Sequence, residues 1–271
     1  MTSPYYRFTI LGSGSSGGVP RIGGHWGACD PAEPKNRRRR CSLLVERFGE
    51  AAEPTTVLID TSPDIREQLL DANVSKIDAV LYTHEHADQM HGIDDLRMVA
   101  MNMWRRVDVY ADKRTHDVLM DRFGYCFKTP DGSDYPPILS DHLISDDLTP
   151  IVVDGPGGAI EAIPFWQDHG RIDSLGFRIG DMAYSSDVVG LPEESFDVLH
   201  GLECWIVDAL RYTRHPTHAN VDMALEWIDR VKPKQGILTN LHVDLDYRTL
   251  CSTLPASVVP AYDGMTIELP A

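Results

Sequence analysis

The segment at residues 83–92, THEHADQMHG, carries side chains that could bind a metal ion. Its three histidines, His84, His86 and His91, and its aspartate, Asp88, fall within eight residues. Neutral imidazole and ionised carboxylate are ligands that zinc, iron and manganese accept, and such an ion makes water nucleophilic near neutral pH. A single histidine usually marks an ordinary polar loop, but this density of ligands indicates a hydrolytic metal centre.

An apolar run at residues 77–82 precedes these ligands and predicts a buried strand that brings them to one edge of a sheet. Further patterns predict an α/β protein rich in sheet. Strand-like runs lie at 6–11, 41–46, 57–59, 79–82, 107–111, 151–153, 160–165, 174–179, 205–208, 236–239 and 265–269, and helical patterns at 63–70, 94–104, 114–123, 220–231 and 246–254. No linker divides the sequence, so one domain of residues 1–271 is expected. Residues 128–148 lack periodicity and predict a loop bordering the active site or a solvated insertion.

The run from His84 to Gln89 resembles the His-x-His-x-Asp-His signature of the metallo-β-lactamase superfamily, a broad set of hydrolases, with Gln89 in place of the last histidine. The resemblance implies an α/β fold, a four-layered αββα sandwich. It also implies a metal centre, usually dinuclear, at one edge between the two sheets. Further ligands are therefore expected later in the chain.

Three later residues stand where the superfamily has ligands. His169 follows a strand-like run, Asp187 ends a short strand from Met182, and His242 follows the strand-like run that starts at Gly236. Taken alone, His169 would be a loop residue and Asp187 a strand-end turn residue. Their order along the chain matches the superfamily, and the resemblance gives Asp187 the role of bridging two ions. The metal ligands implied by the resemblance are His84, His86, Asp88, His169, Asp187 and His242.

Gln89 is where the sequence departs from the signature, because a neutral amide oxygen is a poor substitute for imidazole. The second ion, implied to bind Asp88, Asp187 and His242, is expected to bind weakly. Either that position is half empty, or a harder ion such as manganese or iron fills it. The expected cofactor is one or two divalent ions of zinc, manganese or iron. His91 could reach this position by a local distortion, although the helix start that follows it favours a place in the pocket lining.

The run from Gly12 to Gly17 formally matches Gly-x-Gly-x-x-Gly, a dinucleotide-binding fingerprint. That fingerprint requires a helix straight afterwards, which the prolines and glycines of residues 20–34 preclude. The longer run to Pro20 instead resembles the opening of the PhnP-like cyclic phosphodiesterases, the phosphoribosyl 1,2-cyclic phosphate phosphodiesterase subgroup. In these enzymes an aspartate and a histidine serve proton transfer to the leaving alkoxide, and Asp208 and His218 stand at matching places. The alternative for His218 is a helix-capping loop residue.

Composition narrows the classes of partner. The formal charge of −16 at pH 7 repels polyanions and disfavours a stable nucleic-acid partner. No apolar signal core opens the sequence and no apolar stretch reaches the roughly 20 residues that cross a bilayer, so a cytoplasmic protein without a membrane partner is expected. Five widely spaced cysteines predict free thiols. The basic run Arg37 to Arg40 predicts a solvated face, or an attractor of phosphate through at most two side chains.

These features predict a metal-dependent phosphodiesterase that acts on a small cyclic ribose or nucleotide phosphate through a metal-bound hydroxide. The implied catalytic residues are Asp208, His218 and Asp88. One alternative is a transfer-RNA 3′-processing nuclease, which needs a basic surface and an RNA-gripping extension. The other is a non-catalytic or cofactor-biosynthesis member similar to the pyrroloquinoline quinone-associated protein. A small phosphorylated substrate is the expected partner, and exposure of Trp104 or Trp227 would favour a homodimer.

Overall fold

The computed structural model describes residues 3–271, so that Met1 and Thr2 lie outside the described part. The chain separates into two compact units. Unit 1 consists of Met1–Thr9, Ser42–Glu161 and Thr266–Ala271, and unit 2 of Ile10–Cys41 and Ala162–Met265. The expectation of one domain over residues 1–271 stays a prediction.

Fourteen strands in the described residues form two seven-stranded sheets. The strands are β1 (Tyr5–Gly12), β2 (Ser42–Phe48), β3 (Thr55–Ile59), β4 (Ala79–Leu81), β5 (Val107–Ala111), β6 (Leu139–Leu143), β7 (Ile151–Val153), β8 (Ile160–Asp168), β9 (Asp173–Ile179), β10 (Met182–Ser185), β11 (Cys204–Asp208), β12 (Gln235–Thr239), β13 (Val258–Pro260) and β14 (Met265–Pro270). The first sheet has the order β14-β1-β2-β3-β4-β5-β6 and the second the order β13-β12-β11-β10-β9-β8-β7.

Both sheets contain a run of parallel strands, which brings polar residues to shared edges. In the first sheet β3, β4, β5 and β6 are parallel, and Ile59 pairs with Leu81 at the ends of β3 and β4. In the second sheet β10, β11, β12 and β13 are parallel, and Asp208 pairs with Thr239. Because parallel strands end at the same edge, the residues that follow them become neighbours.

Seven helices lie in the described residues. They are α1 (Ile65–Asp71), α2 (Ala87–Met90), α3 (Leu96–Met103), α4 (Lys113–Phe127), α5 (Glu193–Val198), α6 (Val221–Val231) and α7 (Tyr247–Thr253), with short 3₁₀ helices at Pro34–Asn36 and Ile93–Asp95. Asn220 caps α6 by accepting a hydrogen bond from Met223 N, and Asp246 caps α7 by accepting one from Thr249 N. Within residues 3–271 we find no helix with the length and apolar character that crossing a membrane requires.

Apolar side chains fill the interior of each unit. In unit 2, Trp205 is fully buried and its indole Nε1 donates to Ser185 Oγ at 3.0 Å. Trp227 is partly buried and packs against this core, whereas Trp104 of unit 1 is 93% exposed. The predicted free thiols are confirmed: four cysteines are buried and Cys251 is exposed.

The pattern analysis missed four elements. Residues 128–148, expected to be a loop, contain β6, which pairs in parallel with β5 at the edge of the first sheet. Most of its side chains are exposed, so β6 lacks the apolar alternation of a half-buried strand. The other three, β13, α2 and α5, are too short to carry a period of their own.

Candidate metal centre

His84 and His86 follow β4 and approach each other closely. His84 Nε2 lies 3.0 Å from His86 Nδ1. The His84 ring is fully buried, while His86 is exposed. Two ring nitrogens at this separation aim at nearly one point, so the pair is suited to share a cation.

A chain of hydrogen bonds in unit 1 fixes which nitrogen of His84 is protonated. Thr83 Oγ1 donates to Asp60 Oδ2 at 2.8 Å and lies 2.9 Å from His84 Nδ1. Since the hydroxyl gives its single proton to Asp60, its oxygen accepts from Nδ1–H of His84. The lone pair of His84 is thereby placed on Nε2, the atom that faces His86.

Asp88, Gln89 and His91 lie in or beside α2. Gln89 is fully buried and its Nε2 donates to Asp88 Oδ2 at 3.3 Å. His91 is exposed and its ring packs edge-on against Phe123 with a centroid distance of 5.6 Å. His91 therefore packs against Phe123 of α4, and Asp88 accepts a hydrogen bond from the Gln89 amide.

His169 directly follows β8 in unit 2 and is nearly fully buried. Its Nδ1 donates to the carbonyl oxygen of Thr217 at 2.6 Å, because a carbonyl can only accept. The lone pair therefore sits on Nε2, the arrangement common in metal-binding histidines. Gly170 permits this approach: its φ is +84°, and an added Cβ would lie 2.6 Å from Thr217 Cγ2.

Asp187 and Asp208 follow or end neighbouring parallel strands, and both face His218. The His218 Nδ1 atom lies 2.8 Å from Asp208 Oδ2 and 3.4 Å from Asp187 Oδ1. Asp208 Oδ2 also accepts from Val188 N at 3.1 Å. Ligand atoms of His169, Asp187 and His218 all lie within 4.8 Å of one another. His169 and Asp187 are thus close enough to share an ion, whereas the Nδ1 proton of His218 is taken up by Asp208.

His242 has other neighbours in unit 2. Its Nε2 contacts the Arg21 guanidinium, and its Nδ1 lies 3.0 Å from Asp244 Oδ2. Burial lowers the pKa of His242, Asp244 opposes this, and the positive charges of Arg21 and Arg211 lower it further. Its assignment as a metal ligand stays a prediction.

Asn240, rather than His242, is the residue of this turn that reaches Asp187. Asn240 Nδ2 donates to Asp187 Oδ1 at 3.2 Å and lies 3.2 Å from His218 Nδ1. The sequence analysis missed Asn240, Asp60 and the Thr217 carbonyl. Asn240 and Asp60 directly follow strands, which is the only signal of them in the sequence; both are buried, with φ of 61° and 63°, and Asp187 has φ of 52°. The Thr217 carbonyl leaves no signal in the sequence.

The basic run is not the solvated face that its composition predicts. Arg38 is buried, and its guanidinium donates to Asn36 Oδ1 at 3.2 Å and to the His242 carbonyl at 3.4 Å. Arg39 pairs with Asp263 at 3.2 Å. These two arginines hold unit 2 together, because each joins residues far apart in the sequence.

Comparison with known proteins places the chain in a family. The model of the β-lactamase superfamily domain matches residues 55–240. Among solved structures, a diphosphatase from the PhnP family shares 34% identity over 98% of this chain and 97% of that chain, with a TM-score of 0.86. Zinc-bound PqqB from Methylobacterium extorquens shares the fold, with 16% identity over 97% of this chain and 100% of that chain and a TM-score of 0.75.

Among curated proteins, an octanoyltransferase of Porphyromonas gingivalis (strain ATCC BAA-308 / W83) is 34% identical over 264 residues, which is 96% of this chain and 51% of that protein. This chain thus spans about half the length of that relative. The two mixed sheets with their helices confirm the predicted α/β metallo-β-lactamase-like fold, and the resemblance to the PhnP group is confirmed. The chain belongs to the β-lactamase superfamily.

Proposed function

We propose that this protein is a metal-dependent hydrolase of small phosphodiesters, with cyclic ribose or nucleotide phosphates as the substrate class. Its relationship to a PhnP-family diphosphatase supports chemistry at phosphorus. The proposed ligands of the ion are His84, His86, His169 and Asp187, whose donor types suit zinc, manganese or iron. When bound, such an ion supplies an activated water and stabilises negative charge on phosphate oxygens.

The observation that carries the proposal is the pair Asp208 and His218. The carboxylate is fully buried and accepts from His218 Nδ1 at 2.8 Å, so this ring nitrogen carries a proton. The His218 side chain retains 16% exposure. Its Nε2 is thus the atom that could deliver a proton to a leaving alkoxide, while Asp208 orients the ring.

The surroundings of Asp208 fix the orientation of the His218 ring. Asp208 Oδ2 is held by Val188 N and His218, and within residues 3–271 its buried Oδ1 has no hydrogen-bond partner. The carboxylate accepts the Nδ1 proton of His218, which leaves Nε2 as the second proton site of the ring. The pair is therefore suited to work as a general acid.

Positive charge around His242 suits an anionic substrate. The Arg21 guanidinium contacts His242 Nε2, and Arg211 adds its charge to the surroundings of this ring. Guanidinium groups recognise phosphate through paired, charge-assisted hydrogen bonds. Since the chain as a whole carries −16, this local positive charge favours a small phosphate over a polynucleotide.

The experiment is hydrolysis by the full chain loaded with zinc or manganese. Substrates are bis(p-nitrophenyl) phosphate, a ribose cyclic phosphate and a ribose diphosphate ester. His218→Asn should lower kcat on the cyclic phosphate by roughly 100- to 10,000-fold. The loss should be smaller with the nitrophenyl ester, whose leaving group needs little protonation. A purely structural defect would reduce both equally.

The matched control is His200→Asn. His200 and Asp197 form an exposed histidine and aspartate pair in the same unit, with side chains 73% and 85% exposed and 4.0 Å between Nε2 and Oδ1. This variant should retain full activity. Cleavage of the diphosphate ester alone would contradict the diester assignment, and a metal-loaded protein inert towards all three substrates would favour a binding role.

A further inference from the structure

The residues that the family resemblance assigns to a second metal ion each have a protein partner in their own unit. Asp88, in the first turn of α2, accepts from Gln89 Nε2 at 3.3 Å. The Gln89 side chain is fully buried. Asp88 is partly buried, and the amide N–H gives its carboxylate a donor without adding charge.

Asp187 has the same kind of neighbour. Asn240 Nδ2 donates to Asp187 Oδ1 at 3.2 Å, and Asn240 is 1% exposed. The His218 Nδ1 atom, protonated through its bond to Asp208, lies 3.4 Å from the same oxygen. The His218 proton goes to Asp208, so the N–H group that points at Oδ1 of Asp187 is the Asn240 amide. A cation placed on that oxygen would face the positive end of this dipole.

His242, the third group, is unsuited to a cation for a different reason. Its Nε2 contacts the Arg21 guanidinium, whose charge is permanent, and its Nδ1 lies 3.0 Å from Asp244 Oδ2. A divalent ion on Nε2 would have to displace the arginine. Asp88, Asp187 and His242 thus share one property, a nitrogen group as a close neighbour.

We propose that this protein binds one divalent ion per chain and that the amides of Gln89 and Asn240 take the place of a second ion. Each amide satisfies a carboxylate with an N–H group instead of a metal. This inference rests on the metal dependence in the proposed function, and it makes the enzyme a mononuclear member of a superfamily whose usual centre holds two ions.

The first test is metal stoichiometry of the full chain. Protein stripped of metal is titrated with zinc and, separately, with manganese, by calorimetry followed by elemental analysis of the desalted protein. We expect one equivalent per chain. Two equivalents of similar affinity would overturn the inference and leave the proposed function standing, whereas no binding would remove the metal-dependent function itself.

The second test restores a second site. The double variant Gln89→His with Asn240→His replaces both amide groups by imidazoles, and we expect it to bind a second equivalent of zinc. The matched control is Asn102→His, an exposed position in α3 that should leave the stoichiometry at one. If the double variant still bound one ion, the amides would not be what excludes the second, and the inference would be wrong.

Circular dichroism and a melting curve establish that each variant is folded before metal is counted. Should the double variant fail to fold, the single variants Gln89→His and Asn240→His are read in its place. In either single variant, the affinity for a second zinc ion should exceed that of the parent by at least roughly tenfold, because one imidazole ligand has been added. Parent-like binding by both would reject the inference.

Discussion

The His169 imidazole donates from Nδ1 to the carbonyl oxygen of Thr217 at 2.6 Å. The acceptor belongs to the main chain, so no substitution of Thr217 removes it. Gly170 permits the contact, because it has no Cβ and the chain around it can approach Thr217. The orientation of a candidate metal ligand thus depends on a residue that has no side chain.

Gly170→Ala should therefore weaken metal binding. The added Cβ would lie 2.6 Å from Thr217 Cγ2, and the φ of +84° disfavours any L side chain. Loss of the carbonyl contact leaves the ring less well oriented, and we expect roughly 10- to 100-fold weaker zinc affinity. Calorimetry on folded protein measures it.

Gly201→Ala controls for backbone strain in this comparison. Gly201 also has positive φ, +73°, but nothing lies within 4 Å of its added Cβ. Both variants should lose about 1–2 kcal/mol of stability from the left-handed conformation. Only Gly170→Ala should lose metal affinity, and equal affinities would contradict the role given to the Thr217 carbonyl.

Thr83→Val tests the positioning of His84. The substitution keeps the shape but removes the hydroxyl that joins Asp60 Oδ2 to His84 Nδ1. Zinc affinity should fall roughly 10- to 100-fold, and the free energy of unfolding by about 1–3 kcal/mol because a buried carboxylate loses a donor. Urea denaturation and a zinc titration measure the two effects.

Thr115→Val is the matched control for that experiment. The Thr115 hydroxyl is also buried in unit 1, yet it has no hydrogen-bond partner within residues 3–271. Removing it should leave zinc affinity unchanged and stability equal or higher. If both valine variants bound zinc like the parent, the hydroxyl of Thr83 would have no part in orienting His84.

Asp246 should make the free energy of unfolding depend on pH in the acidic range. Burial raises its pKa, but hydrogen bonds from Thr249 N, Asn36 Nδ2 and Asp30 N outweigh this and lower the pKa from 3.8 to about 2. A depressed folded-state pKa stabilises the protein fully above pH 3.8, and the contribution disappears as the pH falls towards 2. Asp246→Asn should cost about 1 kcal/mol at pH 6, allowing for partial exposure.

The difference between parent and Asp246→Asn should shrink steadily below pH 4. Urea denaturation at pH 6, 4 and 3 measures it, with Asp229→Asn, an exposed position in α6, as the control. A gap that stays constant across this range would show that the hydrogen bonds, and not the ionised carboxylate, carry the effect.

Thiol reactivity should single out one cysteine. Burial raises the pKa of Cys126 to about 11 and that of Cys204 to about 12, and it raises the pKa of Cys29 as well. Thiols that stay protonated and buried react slowly, whereas Cys251 is exposed. A thiol reagent should label one of five cysteines in the native protein and none in Cys251→Ser. Rapid labelling of a second cysteine would contradict the described packing.

The part of the site that the sequence predicted consists of residues at or just after the ends of strands. Asp187 and Asp208 were found because each terminates an apolar run, and parallel pairing then makes such residues neighbours. The sequence did not show whether Asn240 or His242 approaches Asp187. A left-handed residue directly after β12 turns Asn240 towards Asp187, while His242, two residues on, meets Arg21. Turn geometry of this kind depends on packing, not on residue type.

The burial of Arg38 in the basic run could not be predicted from the sequence. Four consecutive arginines resemble a surface feature, yet Arg38 is enclosed by groups from distant parts of the chain, including the His242 carbonyl. Periodicity reports on neighbours along an element, so it located most strands within a few residues. Contacts that join residues some two hundred positions apart leave no local pattern.

The left-handed backbone at Asp60, Asp187 and Asn240 sets the protein's tolerance to engineering. Glycine would relax each position by up to about 1 kcal/mol, and it would also delete a carboxylate or amide on which the site depends. At Asp60 this deletion would leave two Thr83 donors without their acceptor at about 1–3 kcal/mol, more than the backbone relaxation returns. A screen for heat resistance should therefore keep the aspartate at Asp60, despite its left-handed backbone.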